Sequence, residues 1–259
     1  MNRFLASVIG FAALSLTAMS LHAQDLVFKS KSDHATLVEL FSSEGCSSCP
    51  PAEAWVSNLK TSPGLWTEIF PVAFHVDYWD GLGWPDRFAK SVYTERQRNY
   101  AAQLGQDSVY TPEFVVSGHE WRGWFHGDRS PSAETRTSGE LTLLAVNGGT
   151  KVSATYTPNA SSITQVYTLN VALLGVNIVS DVRSGENGGR QLTHDFVVLD
   201  FASKPMTDGP RFQSGPIDLK PSTNDSPGAI VAWVSAPNGE IVQMTGGWLK
   251  AGTNQVSLR

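Results

Sequence analysis

Apolar and polar positions alternate in two different ways along the chain, and the change falls near residue 130. Before it, runs of branched apolar residues are separated by stretches in which apolar residues recur every three to four positions. This pattern indicates strands that alternate with helices. The predicted elements are strands over 35–41 and 69–76, helices over 50–60 and 85–104, and a hairpin over 113–122. Their order is typical of a layered α/β domain.

After residue 130 the chain consists almost entirely of short branched runs separated by Gly, Asn, Pro and Ser. Such runs predict strands joined by turns. The predicted strands are 141–146, 150–156, 164–174, 193–201, 228–234 and 240–245. The Pro237-Asn-Gly239 turn joins the last two as a hairpin. Strands of this number and spacing favour an antiparallel β-sandwich.

The two patterns together predict a fold of two domains. Residues 33–128 are expected to form an α/β three-layer domain with a helical insertion after its second strand. The polar segment 129–139 is expected to be a linker. Residues 140–259 are expected to form an all-β sandwich-like domain.

Residues 1–23 have the pattern of a secretory signal peptide. Arg3 gives a positive start, residues 4–21 are largely apolar without charge, and Ala23 is a small residue suited to cleavage. An uncleaved membrane anchor is the alternative, because the apolar run is nearly long enough to span a bilayer. We expect export and cleavage, which would make the mature chain periplasmic or secreted, without stable insertion in the membrane.

The formal net charge of the chain is −5, and loss of Arg3 with the signal peptide would make it one unit more negative. A mildly acidic surface of mixed charge argues against nucleic acid or anionic lipid as a partner. Export also bears on the only two cysteines, Cys46 and Cys49. In an oxidising compartment they would be disulfide-bonded unless another system reduces them.

The cysteines lie in the sequence Phe41-Ser-Ser-Glu-Gly-Cys46-Ser-Ser-Cys49-Pro-Pro51, between a predicted strand and a predicted helix. At such a turn, the helix dipole and the unpaired N–H groups of the first helical turn lower the pKa of a thiol. Cys46 is therefore the candidate nucleophile that attacks a disulfide, and Cys49 is the candidate resolving thiol.

Two other interpretations of the cysteine pair remain open. The first is an inert disulfide, although a bond that closes so short a loop removes little chain entropy and stabilises the fold weakly. The second is a copper(I) site in which His75, at the end of a predicted strand, joins the two sulfurs. A partly buried, hydrogen-bonded His75 is the simpler expectation.

Three features together resemble a thioredoxin-like domain: the cysteine turn after a strand, Thr111-Pro112 before the strand that starts at residue 113, and the closing hairpin. More narrowly, the chain resembles a family of secreted bacterial thioredoxin-like proteins that have a β-rich C-terminal part and no assigned function. The phrases that carry this resemblance are Val38-Glu-Leu-Phe-Ser-Ser-Glu-Gly-Cys-Ser-Ser-Cys-Pro-Pro51, His75-Val-Asp-Tyr-Trp79 and Tyr110-Thr-Pro-Glu-Phe-Val-Val-Ser-Gly118. Looser support comes from Gly185-Glu-Asn-Gly-Gly-Arg190 and Leu192-Thr-His-Asp-Phe-Val-Val198.

The resemblance implies roles for three further residues. It implies a cis peptide bond before Pro112 and a substrate peptide aligned by the backbone of Thr111. It also implies that Glu39, buried in an apolar strand, relays a proton for the resolving thiol, and burial would raise its pKa. A solvated Glu39 at the sheet edge is the alternative.

Two segments near the cysteines carry weaker expectations. Glu44 is expected to be exposed and to raise the pKa of Cys46 modestly through its negative charge. The glycine-rich segment 185–190 lacks the strand–helix context of a nucleotide-binding loop. We expect it to be a wide hairpin, with Arg190 docked on the first domain.

The sequence thus favours an exported thiol–disulfide oxidoreductase that acts on protein thiols and disulfides of the cell envelope and needs no cofactor. The alternative is a binding module that holds copper(I) or a protein partner without redox turnover, because a fold does not by itself specify a function. The oligomeric state and the direction of electron flow are left open.

Overall fold

The structure is a computed structural model that describes residues 25–31, 33–128, 131, 135–159, 166–207, 211–221 and 223–249. The predicted signal peptide, residues 1–23, lies outside these ranges. Within them, no helix is both long enough and apolar enough to cross a membrane.

Strands dominate the described part of the chain, and two α-helices accompany them there. The helices are α1 (Pro50–Asn58) and α2 (Ser91–Leu104), with 3-10 segments at Leu59–Thr61, Asp77–Leu82, Gly123–His126 and Asn147–Gly149. The strands are β1 (Leu26–Lys29), β2 (His34–Ser42), β3 (Ile69–His75), β4 (Glu113–Val116), β5 (His119–Glu120), β6 (Thr135–Arg136), β7 (Glu140–Val146), β8 (Lys151–Thr157), β9 (Thr168–Gly175), β10 (Ile178–Asp181), β11 (Gln191–His194), β12 (Val197–Pro205), β13 (Phe212–Asp218), β14 (Ala229–Ser235) and β15 (Ile241–Trp248).

A mixed sheet of nine strands runs through the described residues. Eight of its strands follow the order β15-β14-β9-β12-β3-β2-β4-β5, and β6 pairs with the start of β2. β3 is parallel to both of its neighbours, β2 and β12, whereas the other neighbouring pairs are antiparallel. The sheet therefore continues without a break from the first predicted domain into the second.

The prediction of an α/β three-layer domain followed by a separate sandwich-like domain is wrong. The molecule is β-rich, with large sheets and few helices in its described part. The two halves join where Val197 of β12 pairs with Ala73 of β3, so that the expected edge of the first sheet becomes an interior position. Periodicity identifies strands but not their partners, and for that reason it did not predict this joint.

Two strands of the second half are buried on both faces and connect two hydrophobic cores. On one face of β9 and β14, Ala172 and Trp233 belong to the core built with β2, β3 and α1. On the other face, Val171 and Ala232 pack against the four-stranded sheet β1-β7-β8-β13. Burial on both faces explains why these strands read as continuous apolar runs.

Most of the predicted elements are confirmed, but the start of the second helix is wrong. α2 begins at Ser91, and Asp77–Leu82 is a 3-10 segment. The Asp86 carboxylate accepts hydrogen bonds from the N–H groups of Glu44 (2.7 Å) and Phe88 (2.9 Å). Such side-chain bonds to the backbone compete with helix formation.

The strand predicted over 193–201 is in fact two strands, β11 and β12, which separate at Phe196 where φ is 58°. The domain boundaries stay a prediction. The predicted linker 129–139 lies partly outside the described residues, and β6 within it pairs with β2.

Candidate functional site

A disulfide joins Cys46 and Cys49 in the turn between β2 and α1. Pro50 and Pro51 occupy the first turn of α1 and have no N–H group. The next N–H, that of Ala52, already donates to the Cys49 carbonyl oxygen at 2.9 Å. The sulfurs thus lie at the positive end of the helix dipole, but without the unpaired N–H groups that we expected there.

Both cysteines are fully buried, although Ser47 and Ser48 between them are exposed. The loop between β10 and β11, residues 182–190, lies against the cysteine turn and is here named the cover loop. Neither cysteine is accessible to solvent in this structure.

Three hydrogen bonds attach the cover loop to the cysteine turn. The Asn187 side-chain amide donates to the carbonyl oxygens of Glu44 (2.8 Å) and Cys46 (2.9 Å). The Glu186 carboxylate accepts the Ser47 N–H at 3.0 Å. The contacts therefore cover the backbone on both sides of Cys46.

The wide hairpin expected over 185–190 is confirmed by the antiparallel pairing of β10 with β11. Arg190 lines a groove together with Pro50 of α1, and it also contacts Asn187. Its guanidinium donates to Asn187 Oδ1 at 2.6 Å, which orients the amide nitrogen toward the cysteine turn.

Thr111 and Pro112 lie at the end of the sheet where the cysteine turn begins. Phe41 of β2 is opposite Glu113 of β4, so the chain leaves β2 toward the cysteines beside the point where residues 111–112 enter β4. The cis peptide bond implied by the resemblance is present between Thr111 and Pro112. The structure thus brings four of the five predicted site residues to one end of the sheet.

Trp79 connects these two segments. Its indole N–H donates to Thr111 Oγ1 at 2.8 Å. On the other side, a Cβ placed on Gly45 would lie 3.1 Å from Trp79 Cβ, which is tighter than ordinary contact. Glycine at position 45 therefore lets the cysteine turn approach Trp79 closely.

Glu39, the fifth predicted site residue, makes no described contact with either cysteine. It is fully buried, so the solvated alternative is wrong. Its Oε1 accepts from Arg96 at 2.7 Å and its Oε2 accepts from the Tyr100 hydroxyl at 2.6 Å. Both oxygens are thus engaged by α2, and the proton-relay role stays a prediction.

Glu44 and Glu53 flank the cysteine pair in sequence. They belong to a cluster of side chains whose proximity the sequence did not predict. The five members, here named the buried cluster, are Glu44, Glu53, His75, Asp86 and His194. His194 Nδ1 lies 2.6 Å from Glu53 Oε2, and its Nε2 lies 3.1 Å from Glu44 Oε1. His75 Nδ1 lies 2.6 Å from Asp86 Oδ2, and its Nε2 lies 3.8 Å from Glu53 Oε1.

The expectation that Glu44 is exposed is wrong. Its side chain is buried, and its second oxygen accepts the Trp84 indole N–H at 2.7 Å. The charge of Glu44 is therefore directed at His194 and Trp84.

Contacts between the acids and the histidines of the buried cluster reverse the effect of burial on their pKa values. Burial by itself lowers the pKa of His194, but the Glu53 and Glu44 carboxylates outweigh it and raise the pKa to about 10. Burial likewise opposes the charge of His75, and the Asp86 carboxylate raises its pKa. The pKa values of Glu53 and Asp86 are lowered because their imidazole partners outweigh burial.

Glu113, directly after Pro112, is a second titratable group that the sequence analysis did not single out. Burial raises its pKa to about 7, and the nearby Glu120 and Glu39 charges act in the same direction. Its Oε2 accepts the Gln97 amide N–H at 2.6 Å, whereas Oε1 has no partner among the described residues. This carboxyl exchanges its proton near neutral pH.

Tertiary pairing explains why the buried cluster was missed. His75 ends β3 and His194 ends β11, and they meet because β12 continues from β11 beside β3. Glu53 joins them from α1, one turn after Cys49. The usable signals were His75 at a strand end and His194 inside the phrase from Leu192 to Val198.

Residues 37–235 match the model of a protein family described as "Protein of unknown function (DUF1223)". The chain belongs to the DUF1223 family. The match includes the cysteine turn, the cover loop and the buried cluster of this DUF1223 protein. The expected membership of a family without an assigned function is thus confirmed, whereas its description as thioredoxin-like is not.

Solved structures resemble this DUF1223 protein in fold. One is a structural-genomics target from Agrobacterium tumefaciens, with 21% identity, a TM-score of 0.56, and coverage of 89% of this chain and 100% of that one. Another is HBP35 of Porphyromonas gingivalis, with 15% identity, a TM-score of 0.58, and coverage of 89% of this chain and 80% of that one. At these identities the similarity shows a shared fold alone. A comparison with curated proteins found no match.

Proposed function

We propose that this DUF1223 protein is an exported thiol–disulfide oxidoreductase of the cell envelope that uses the Cys46–Cys49 pair. The observation that carries the proposal is the disulfide at the start of α1, at the end of the sheet where Thr111 and Pro112 lie. In one direction a substrate dithiol becomes a disulfide while the Cys46–Cys49 bond becomes two thiols. The reverse direction transfers the same two electrons and two protons to the substrate.

Cys46 is the nucleophile in this proposal. The Ser48 Oγ lies 3.3 Å from Cys46 Sγ, within reach of a hydrogen bond to sulfur. An O–H donor and the positive end of the α1 dipole both favour the thiolate over the thiol. Cys49, which precedes the first residue of α1, then resolves the mixed disulfide.

In the proposal the cover loop moves to give access to the sulfurs, because the disulfide is fully buried and this loop is bonded to the cysteine turn. Gly185 and Gly189 have left-handed backbones, with φ of 73° and 81°. Glycine adopts such conformations at little cost, which suits a loop that changes its path. In the proposal, a substrate displaces the Asn187 contacts and takes their place beside residues 111–112, where the Thr111 backbone aligns it.

Proton transfer to the leaving thiol needs an acid near the site. Glu39 was the predicted group, but its oxygens are held by Arg96 and Tyr100. Glu113 is the better supported candidate, because burial raises its pKa to about 7 and it directly follows Pro112. A group with this pKa donates and accepts protons near neutral pH.

Trapping of a mixed disulfide tests the proposal. Cys49→Ser removes the thiol that resolves the mixed disulfide between Cys46 and a substrate. Adducts with envelope proteins that dithiothreitol can break should therefore accumulate. Cys46→Ser is the matched control and should form none. Absence of adducts with Cys49→Ser, in a protein recovered from the envelope fraction, would contradict the proposal.

A binding module is the second candidate, and the complete burial of both sulfurs favours it. Its copper(I) version has little support, because the contacts of His75 lead to Asp86 and Glu53. A reduction potential below about −300 mV, together with no exchange with protein thiols, would favour a structural disulfide and this second candidate.

A further inference from the structure

Three side chains of the buried cluster have the chemistry and spacing of metal ligands. Glu53, His75 and His194 each offer one ligand atom, and these atoms all lie within 4.8 Å of one another. Ligands of a tetrahedral zinc ion, at bond lengths of about 2.0–2.1 Å, are roughly 3.4 Å apart. Glu53 faces both rings through different oxygens: Oε2 lies 2.6 Å from His194 Nδ1 and Oε1 lies 3.8 Å from His75 Nε2.

We propose that Glu53, His75 and His194 bind a divalent transition-metal ion, and that this ion is Zn²⁺. The site goes beyond the redox proposal and does not depend on it, because no sulfur takes part. Two imidazole nitrogens and one carboxylate oxygen are the donors that zinc takes when a fourth position is left for water or another ligand.

His75 provides the observation that is hardest to explain without an ion. Its side chain is fully buried, and Nε2 has no hydrogen-bond partner among the described residues. Asp86 holds Nδ1 at 2.6 Å, so the ring is oriented and Nε2 is directed toward Glu53. A buried polar atom without a partner is rare in folded proteins, and a bound metal would satisfy it.

Next to the non-ligating nitrogen of each histidine lies a carboxylate, as is usual for metal-binding imidazoles. Asp86 holds the non-ligating nitrogen of His75, and Glu44 lies 3.1 Å from the non-ligating Nε2 of His194. Carboxylates in this position fix the tautomer and the direction of a ligating ring. The Ser42 hydroxyl, 2.5 Å from Glu53 Oε1, orients the third ligand in the same way.

The charge of the buried cluster also suits a divalent cation. Three carboxylates, those of Glu44, Glu53 and Asp86, lie together with two imidazoles in a buried volume. Among the described residues, no Lys or Arg nitrogen lies within the 4.0 Å of an ion pair with any of them. In the ion-free protein only the protons on His75 and His194 compensate these carboxylates, and a divalent ion would replace those protons with its two positive charges.

One of the three proposed ligands borders a groove that is open to the surface. A groove between α1 and β11 is lined by Glu53 together with Pro50, Arg190 and Thr193. Glu53 is thus both a proposed ligand and part of the groove wall, whereas His75 and His194 are buried and do not line the groove.

Zinc binding to the oxidised, chelator-treated protein tests the proposal, since the disulfide removes thiolates from competition. Calorimetry should show one Zn²⁺ per chain, and Co²⁺ should give the visible spectrum of a tetrahedral site. His75→Gln and Glu53→Gln should each weaken binding at least about 100-fold. Asp86→Asn should weaken binding by about 10- to 100-fold, as loss of a carboxylate that orients a ligating histidine does.

His119→Gln, at an exposed position of β5, is the matched control and should bind zinc as the unchanged protein does. Circular dichroism of each variant separates loss of the site from loss of the fold, and Glu53→Gln serves if a histidine variant unfolds. No zinc binding by the unchanged protein would overturn the proposal. Zinc binding that is unchanged in His75→Gln and Glu53→Gln would also overturn it. That result would indicate that zinc binds at the surface and that the buried cluster binds protons but no metal.

Discussion

At the scale of single residues, burial and tertiary contacts change the pKa values of ionisable side chains in ways that their sequence neighbours do not reveal. Cys46, Cys49 and His75 could be selected from the sequence because their residue types and positions at element ends are informative. Glu113 and Glu53 could not, because a glutamate in an apolar strand or a short helix is compatible with exposure. Only the neighbours supplied by other elements show which acid is paired and which keeps its proton.

Glu113 makes stability depend on pH in a direction that can be stated. Its pKa is about 7 in the folded protein, above the ordinary glutamate value of 4.5, so folding favours the protonated form. The resulting stabilisation is complete below pH 4.5 and is lost as the pH rises through 7. We expect Glu113→Gln to remove about 3 kcal/mol of this pH dependence of the unfolding free energy between pH 4 and 8.

Urea titrations at several pH values measure this effect. Glu95→Gln, at an exposed position of α2, is the matched control and should leave the pH profile unchanged. Equal profiles for Glu113→Gln and the unchanged protein would show that Glu113 titrates as an ordinary carboxylate.

Arg96 lies between Glu39 and several aromatic rings and forms a buried ion pair. Its guanidinium is 2.7 Å from Glu39 and lies over the Phe74 and Trp233 rings. Removal of one partner of such a pair leaves a buried charge, which costs about 3–5 kcal/mol. We expect that loss of unfolding free energy for Arg96→Met, measured by urea denaturation.

The double variant Arg96→Met with Glu39→Leu should recover part of the loss, because it leaves no unpaired charge. Arg98→Met, at an exposed position on the same helix, should change stability little. A loss below about 1 kcal/mol for Arg96→Met would show that the pair is effectively solvated.

At the scale of elements, contacts between distant parts of the chain hold the cover loop against the cysteine turn. The glycine-rich composition of residues 185–190 indicates a turn, and the strands on either side confirm it. Its position over the cysteine turn follows from Asn187, whose amide bonds two carbonyl oxygens of a segment more than a hundred residues away in sequence. No local pattern contains that information.

Asn187→Ala should loosen the cover loop and speed reduction of the disulfide. Two hydrogen bonds of about 1 kcal/mol each are lost, which corresponds to roughly a 10- to 30-fold increase in the open population. The rate of Cys46–Cys49 reduction by dithiothreitol measures this population. Asn238→Ala, in the exposed β14–β15 turn, is the control. An unchanged rate for Asn187→Ala would mean that reagents reach the sulfurs by another route.

At the scale of the whole molecule, the nine-stranded sheet makes the two predicted halves depend on each other. The core around β2 and β3 includes Ala172, Phe196 and Trp233 from the second half. Separation of the halves would expose these contacts and leave β3 with an unpaired edge.

A chain that ends at residue 128 should therefore fail to fold. We expect it to lack the near-ultraviolet circular dichroism and the cooperative thermal transition of the full mature chain, which should unfold in one step. The same measurement on the full chain is the control. A stable, cooperatively unfolding fragment would show that residues 33–128 form an independent domain.

The sequence by itself determined most strands, the first helix, the two hairpins and the cysteine turn, because apolar periodicity and turn residues act locally. It also identified the pair that forms the disulfide, whereas the cis bond before Pro112 was implied by the family resemblance. The tertiary structure alone decided that β12 pairs with β3, that the cover loop bonds to the backbone of the cysteine turn, and that His75, His194 and Glu53 meet. These features depend on which strands become neighbours, and strand pairing results from contacts between residues far apart in the chain, which no local pattern encodes.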